Sequence, residues 1–510
     1  MSLHPTPPQT AGWTLLAVCT AALILPLSFS GGAIATPAIG LDLGGGPLAL
    51  LWITNAFMLS FGSLLMAAGA LADRYGRKRL FICGVGGFGV VSLALGMAPG
   101  IVWLDVLRGL QGVAAAAALA GGSAALANAF EGRARTTAFS LLGTSFGIGL
   151  ALGPVLAGWL IEHFGWRAVF VSGALIGGLA LLIALAKMEE STDPQASGLD
   201  WQGTLSFTAT LVLFTWGILA APDSGWSSAP VIGMLGAALV CMAVFIAVER
   251  RAVRPMLDLS LFRYPRFVGV QLLPIATCFC FVVLLILLPV RFIGIEGRSE
   301  TRAGLIMLAL SAPMLIVPYL AGVLTRWVSA RVLSAIGLLI AAAGLLLLSR
   351  VGVGQPAREF IVPLLVIGAG AGLPWGLMDG LSISVVPKER AGMASGIFST
   401  TRVAGEGIAL AIVSVLLAQL MQGHFAVAQG ARAAQYLAAG DLEQARRLLP
   451  ELSRAALGEV YRQAFAVLLY CLAALTVATS LLVLWFLREA NTQSGRSEQQ
   501  TRGSGLARDL

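Results

Sequence analysis

Fourteen apolar runs, each long enough to cross a bilayer as a helix, take up most of this 510-residue chain. They fall at 12–36, 50–71, 80–98, 101–129, 137–160, 168–186, 203–220, 230–248, 267–290, 303–324, 332–349, 361–386, 393–418 and 463–487. A span needs about 20 predominantly apolar residues, within a range of roughly 17–25. In hydrocarbon every backbone N–H and C=O must find a partner within its own segment, so such runs fold as helices. Composition points the same way, with 57% apolar residues, 11% charged residues and a mean hydropathy of +0.87. So few charges cannot cover a water-facing surface, which excludes a soluble enzyme, a nucleic-acid binder and a disordered scaffold. The expected fold is an all-α integral membrane protein, and its net charge of +8 reflects topology rather than affinity for nucleic acid.

Charge placement orients the chain. An even number of spans puts both ends on one side. With the ends inside, the short inner loops carry sixteen Lys and Arg against six in the short outer loops. Two inner loops dominate: Arg74 to Arg79, and Arg250 to Arg266 with five arginines. The positive-inside rule therefore places both termini in the cytoplasm. The polar stub 1–11 lacks the charged start of a cleaved signal, so the first span is expected to be retained. The outer segment 419–462 is long enough to report poorly on topology, and from Ala431 to Gln463 it reads as amphipathic helix.

An internal echo suggests two related halves. The loop after span two, Gly69 to Arg79, resembles the loop after span ten, Ala321 to Arg331, in basic residues and position, with Thr325 where the first has Asp73. Internal repeats are typical of secondary transporters. The expected division is a six-helix bundle over 12–186, two inserted helices within 187–266, a second six-helix bundle over 267–487 and a tail over 488–510. The six cysteines (Cys19, Cys83, Cys241, Cys278, Cys280 and Cys471) all lie in apolar stretches, and the three histidines are far apart outside them. That pattern suggests core packing, with no disulfide framework, no metal site and no cofactor. Gly84-x-Gly86-x2-Gly89 matches a dinucleotide fingerprint in letters only, since no strand precedes it. There is no Walker-type phosphate loop.

Three segments carry more specific information. After span two comes Gly69-x-Leu71-Ala72-Asp73-Arg74-x-Gly76-Arg77-Lys78-Arg79. Gly69 would allow close helix approach, Asp73 could attract a helix N-terminus, and the basic cluster holds the inner side. In span four stands Leu104-x3-Arg108-x2-Gln111-Gly112, and in span five Gly149-x3-Gly153-Pro154-x2-Ala157-Gly158. The glycines permit close packing and bending, and Pro154 removes a backbone donor. In this order the three segments resemble the loop 2–3, fourth-helix and antiporter fifth-helix motifs of the major facilitator superfamily. With fourteen spans, Asp200-Trp201-x-Gly203 before the inserted pair and Pro255 to Phe262 after it, the chain is similar to the drug:proton antiporter-2 family.

The resemblance implies a major facilitator fold of 6 + 2 + 6 helices and no enzymatic activity. It implies proton-coupled efflux of amphipathic or hydrophobic molecules of the multidrug type, across the inner membrane, by alternating access. Export of an endogenous metabolite such as a siderophore is the alternative. Import conflicts with the Gly149–Gly158 motif, and an integral enzyme would need convergent catalytic groups that the spans do not show. Gly69, Asp73, Arg74, Gly76 and Arg77 would form a conformational latch, with topology alone as the plainer reading. Gly149, Gly153, Pro154 and Gly158 would form a hinge and seal. The implied partners are the substrate, protons and the lipid bilayer, with an outer-membrane efflux system as a further candidate.

Only five ionisable residues fall inside the expected spans: Asp105, Arg108, Asp379, Arg402 and Glu406. Charges at that depth are costly and mark function by default. Asp105 lies three residues before Arg108 and Arg402 four before Glu406, spacings that let each pair meet on one helix face. Arg108 would influence proton release from a nearby acid, or else form a static pair with Asp105. Asp379 has no opposite charge within a turn of its own helix and follows Pro374-Trp375-Gly376, where a helix can deform. It is the first candidate for proton carrier or cation contact. Two positions depart from the family pattern: Ser28 stands where a first-span acid is common, and Phe57 where a Tyr is usual. Trp52, Phe57, Met58, Phe61, Trp375 and Met378 could line a cavity suited to apolar or cationic ligands, with packing as the plainer reading.

Overall fold

Such long apolar runs can satisfy their backbones only as helices, and they do so in the computed structural model. It describes residues 9–488 apart from 194–198, 253–254, 256, 387–389 and 426–428. The ends of the expected stub and tail, 1–8 and 489–510, lie outside the described residues. Fourteen spans follow in order: α1 (Thr10–Leu43), α2 (Pro47–Tyr75), α3 (Arg77–Gly96), α4 (Ile101–Ala129), α5 (Thr137–Phe164), α6 (Arg167–Lys187), α7 (Trp201–Pro222), α8 (Ala229–Arg251), α9 (Pro265–Ile295), α10 (Glu300–Leu324), α11 (Ala330–Leu348), α12 (Arg358–Ser384), α13 (Met393–Gln422) and α14 (Arg454–Phe486). No strand occurs among the described residues.

Each expected run lies within or close to one of these helices. The largest extensions are at α14, which starts at Arg454 instead of 463, and α1, which continues to Leu43 instead of 36; α9 also continues, to Ile295. Between α13 and α14 the outer segment folds into two short helices, Gly430–Ala438 and Leu442–Leu448. The amphipathic stretch expected over Ala431 to Gln463 is thus divided between these two helices, separated at Gly440, whose φ of +83° suits glycine, and the first residues of α14.

Helix packing repeats with an offset of eight. In the first half α2 packs on α4, α3 on α4 and α6, and α1 on α5 and α6; in the second, α10 packs on α12, α11 on α12 and α14, and α9 on α13 and α14. The halves meet mainly through α2 against α13 and α5 against α10. The inserted α7 leans on α2 and α13 where the halves join, while α8 packs mainly on α7. α9 is the most enclosed span and α8 the least. With an even number of spans both chain ends emerge on one face, called here the terminal face, and the short helices after α13 cover the far face.

Candidate functional site

The first half is organised around Arg108, which α4 carries into its centre with no exposed surface. Its guanidinium donates to the Ile53 carbonyl at 2.7 Å, to Gln111 Oε1 at 2.5 Å and to Ser28 Oγ at 3.1 Å. Its Cζ stands 4.5 Å from the centre of the Phe57 ring. Gln111 continues the network to Ser92 at 2.8 Å. Arg108 Nη2 and the buried Asp105 Oδ1 have no hydrogen-bond partner among the described residues. The static Arg108–Asp105 pair allowed by their spacing is therefore absent. Arg108 instead reaches across to α1 and α2, where neutral acceptors hold its charge, and Phe57 packs against it.

In the second half three charged residues converge from two helices. Arg402 on α13 meets Asp379 on α12, with Nη1 3.4 Å from Oδ1 and 3.5 Å from Oδ2. Asp379 has no opposite charge within a turn of its own helix, and its partner comes from the neighbouring one. One expectation is corrected. Arg402 pairs with Asp379 and not with Glu406, one turn along its own helix. The Glu406 carboxyl, partly buried, has no hydrogen bond or ion pair among the described residues. Arg402 lies 19% exposed and Asp379 64% exposed, so the pair is open at the protein surface, near the end of α12 that leads to the terminal face. The rings of Trp375 and Phe398 flank the Arg402 guanidinium at 5.9 and 5.7 Å. Opposite them α9 widens into a π-helical stretch, Cys278–Val282, and Cys278 Sγ contacts the Arg402 carbonyl at 3.8 Å. Such π-turns are frequent at functional sites.

The loop after α2 is held differently from expectation. Asp73 pairs with Arg77 at 2.9 Å, one turn away. The N-terminus of α3 is capped instead by Glu190, whose carboxylate accepts from the Lys78 and Arg79 amides, each at 3.0 Å. Gly76 has φ +119°, and any side chain there would run into Glu190 at 2.7 Å, so glycine is required. Gly69 needs no such explanation, since a Cβ there would meet nothing within 4 Å. Arg74 lies beside the Tyr75 ring.

On α5 the glycines do serve close packing. A Cβ on Gly149 would meet the Leu23 carbonyl at 2.7 Å, and one on Gly153 the Ser30 hydroxyl at 2.5 Å, so this part of α5 fits tightly against α1. Toward the far face, Gly158 leaves room for the Glu300 carbonyl, and Gly304 of α10 for the Pro154 carbonyl. Glu162 Oε2 accepts from the Thr301 amide at 3.2 Å, at the N-terminal end of α10. The motif thus joins the two halves at the far face.

The aromatic candidates divide. Trp375 stands beside the Asp379–Arg402 pair, but Met378 is fully buried. Trp52 turns to the inserted helix and packs edge-on against Trp216 at 5.8 Å. Sequence reasoning also missed a buried ionic cluster. Arg291 and Glu296 are each 1% exposed and 2.9 Å apart, and Arg298 joins Glu296 at 2.8 Å. Arg291 also donates to the carbonyls of Val351 and Gly352. Its position just past the apolar run ending at 290 makes it look like a loop residue, whereas α9 carries it onward as helix.

Comparison with known proteins agrees with this arrangement. The Major Facilitator Superfamily model matches residues 16–410. The chain belongs to the major facilitator superfamily. It is 34% identical over 387 residues to the multidrug resistance protein Stp of Mycobacterium tuberculosis, covering 76% of this chain and 72% of that protein. It is 29% identical over 411 residues to the tetracenomycin C resistance and export protein of Streptomyces glaucescens, covering 79% and 76%. Among solved structures it is similar to a bacterial homologue of the human lysosomal transporter Spinster, with a TM-score of 0.64 at 16% identity, covering 95% of this chain and 99% of that one. This superfamily member is a multi-pass membrane transporter and not an enzyme.

Proposed function

We propose that this facilitator exports amphipathic or hydrophobic small molecules across the inner membrane in exchange for protons, as a multidrug-type antiporter with both termini in the cytoplasm. The observation that carries the reading is the position of the open ion pair relative to the seal. Asp379 and Arg402 are open at the surface near the terminal-face end of α12, while α5 and α10 are locked together at the far face through Gly158, Gly304 and Glu162. With the terminal face cytoplasmic, this is a conformation that accepts cargo from inside. Rocking of the halves about α2–α13 and α5–α10 would then release it outside. The names of the relatives, multidrug resistance and tetracenomycin C export, support export as the direction. Asp379, Arg402 and Glu406 are the coupling candidates in the second half, and Arg108 is the candidate in the first. The loop of Asp73, Arg74 and Arg77 makes no hydrogen bond or ion pair to the second half among the described residues, its charges being held locally, and would latch in the other conformation.

A second reading, export of an endogenous metabolite such as a siderophore, draws support from Ser28. Without a carboxylate in the expected first span 12–36, that span offers no ionic contact to a lipophilic cation. Expression in an efflux-deficient host tests both. Lower accumulation of several unrelated dyes or antibiotics supports the multidrug reading. Unchanged accumulation with increased siderophore in the medium supports the second. No change in either contradicts both.

A further inference from the structure

Arg402 has two possible carboxyl partners and holds only one. Asp379, from α12, is bound at 3.4 and 3.5 Å, longer than the roughly 2.7–2.9 Å of a strong charge-assisted bond. Asp379 is 64% exposed, and a loose pair at a wet surface is easily exchanged. Glu406 lies four residues beyond Arg402 on α13, within reach of the same guanidinium. The titratable and charged groups beside it are Arg402 on its own helix and the Cys278 thiol of α9, with Asp379 of α12 connected to it through Arg402. A carboxylate with no donor is costly in apolar surroundings, so Glu406 carries its proton as long as Arg402 stays on Asp379. The rings of Trp375 and Phe398 both flank the guanidinium, each offering it a cation–π contact as it turns.

We propose that Arg402 is a counter-ion shared in turn by Asp379 and Glu406, and that this exchange links binding of a cationic substrate to release of a proton. The substrate's positive group, an ammonium or amidinium, occupies Asp379 and displaces Arg402. Arg402 turns to Glu406, the Glu406 O–H bond breaks, and its proton passes to water at the open face. The charge of the cargo follows from the direction of coupling. An anion would bind Arg402 itself, leave Glu406 protonated and expel nothing. This inference rests on the antiport reading above and assigns Asp379 to substrate and Glu406 to the proton.

The test needs no substrate. A carbodiimide reacts with protonated carboxyls in apolar sites, and mass spectrometry of the purified protein locates the adduct at Glu406, with Glu406→Gln as the blank. Asp379→Asn, or Asp379→Ser as a second variant, frees Arg402 and should slow Glu406 labelling at least tenfold. Asp379→Glu should leave it near the wild-type rate. In an Arg402→Gln background, Asp379→Asn should change nothing. Equal slowing with and without Arg402 would overturn the proposal, since direct repulsion between the two carboxylates would then suffice. So would no slowing at all. Either failure leaves the export reading standing, because export is measured in cells. Loss of export in cells with the labelling pattern intact would overturn the export reading instead.

Discussion

Ser28 Oγ accepts a hydrogen bond from Arg108 Nη1 at 3.1 Å, at a point where the first half has a buried guanidinium and no carboxylate bonded to it. The charge is held by neutral acceptors on α1, α2 and α4. Ser28→Asp would supply the missing counter-charge and should raise the thermal unfolding midpoint of the detergent-purified protein. Ser28→Ala should lower it, by about 1–3 kcal/mol in stability. A lower midpoint for Ser28→Asp would show that the pocket is built against a carboxylate.

At the far face the contact of Gly158 with the Glu300 carbonyl leaves no space for a methyl group. Gly158→Ala should push α5 and α10 apart there, reduce transport at least tenfold and leave the amount of protein in the membrane nearly unchanged. The change can be seen as faster labelling of a cysteine placed at Thr301. Normal transport and labelling would mean that this crossing does not seal the far face.

The Arg291–Glu296–Arg298 cluster should be a major structural element. Removing one partner of a buried ion pair typically costs about 3–5 kcal/mol. Glu296→Ala should therefore destabilise the protein far more than Glu190→Ala, which loses an anion at a helix N-terminus worth about 0.3–1 kcal/mol. Thermal unfolding of both variants side by side tests the ranking.

At the terminal face Asp258 pairs with Arg390 at 3.3 Å and accepts from the Ser260 amide at 2.9 Å, tying the α8–α9 connection to the start of α13. Burial pushes the Asp258 carboxyl up, but the Ser260 hydroxyl and amide and the Arg390 charge outweigh it and hold it below its ordinary value of 3.8. A lowered folded-state value makes the tie fully stabilising above the unfolded value and lost as pH falls through the folded one. Proteolysis of the connection should accelerate below about pH 4, and Asp258→Asn should remove that pH dependence. A pH-independent cleavage rate in the wild type would contradict this.

The spans were legible because a bilayer demands long apolar runs and tolerates few interruptions. The α5 glycines were legible from their spacing: Gly149 and Gly153, one turn apart, share the face that packs on α1, and Gly158, half a turn round from Gly149, faces α10. Partners chosen by packing were not. Arg402 and Glu406 satisfy the one-turn rule on α13, yet α12 brings Asp379 closer, and nothing along the chain reports how those two helices cross. Glu190 caps α3 from a connection with no motif of its own. Trp52 looks like a cavity residue until α7 is placed beside it. Arg291 was hidden because the apolar run ends one residue before it while the helix does not.

The central claim is proton-coupled export, and everted membrane vesicles carrying a pH-gradient dye test it most directly. Lipophilic cations, neutral drugs and siderophores are added in turn to vesicles with the wild type and with Asp379→Asn. The expected result is that cations collapse the gradient in the wild type and not in the variant. A gradient that falls equally with Asp379→Asn would leave proton coupling in place and remove Asp379 from it, whereas a gradient that no compound disturbs in wild-type vesicles would contradict the claim.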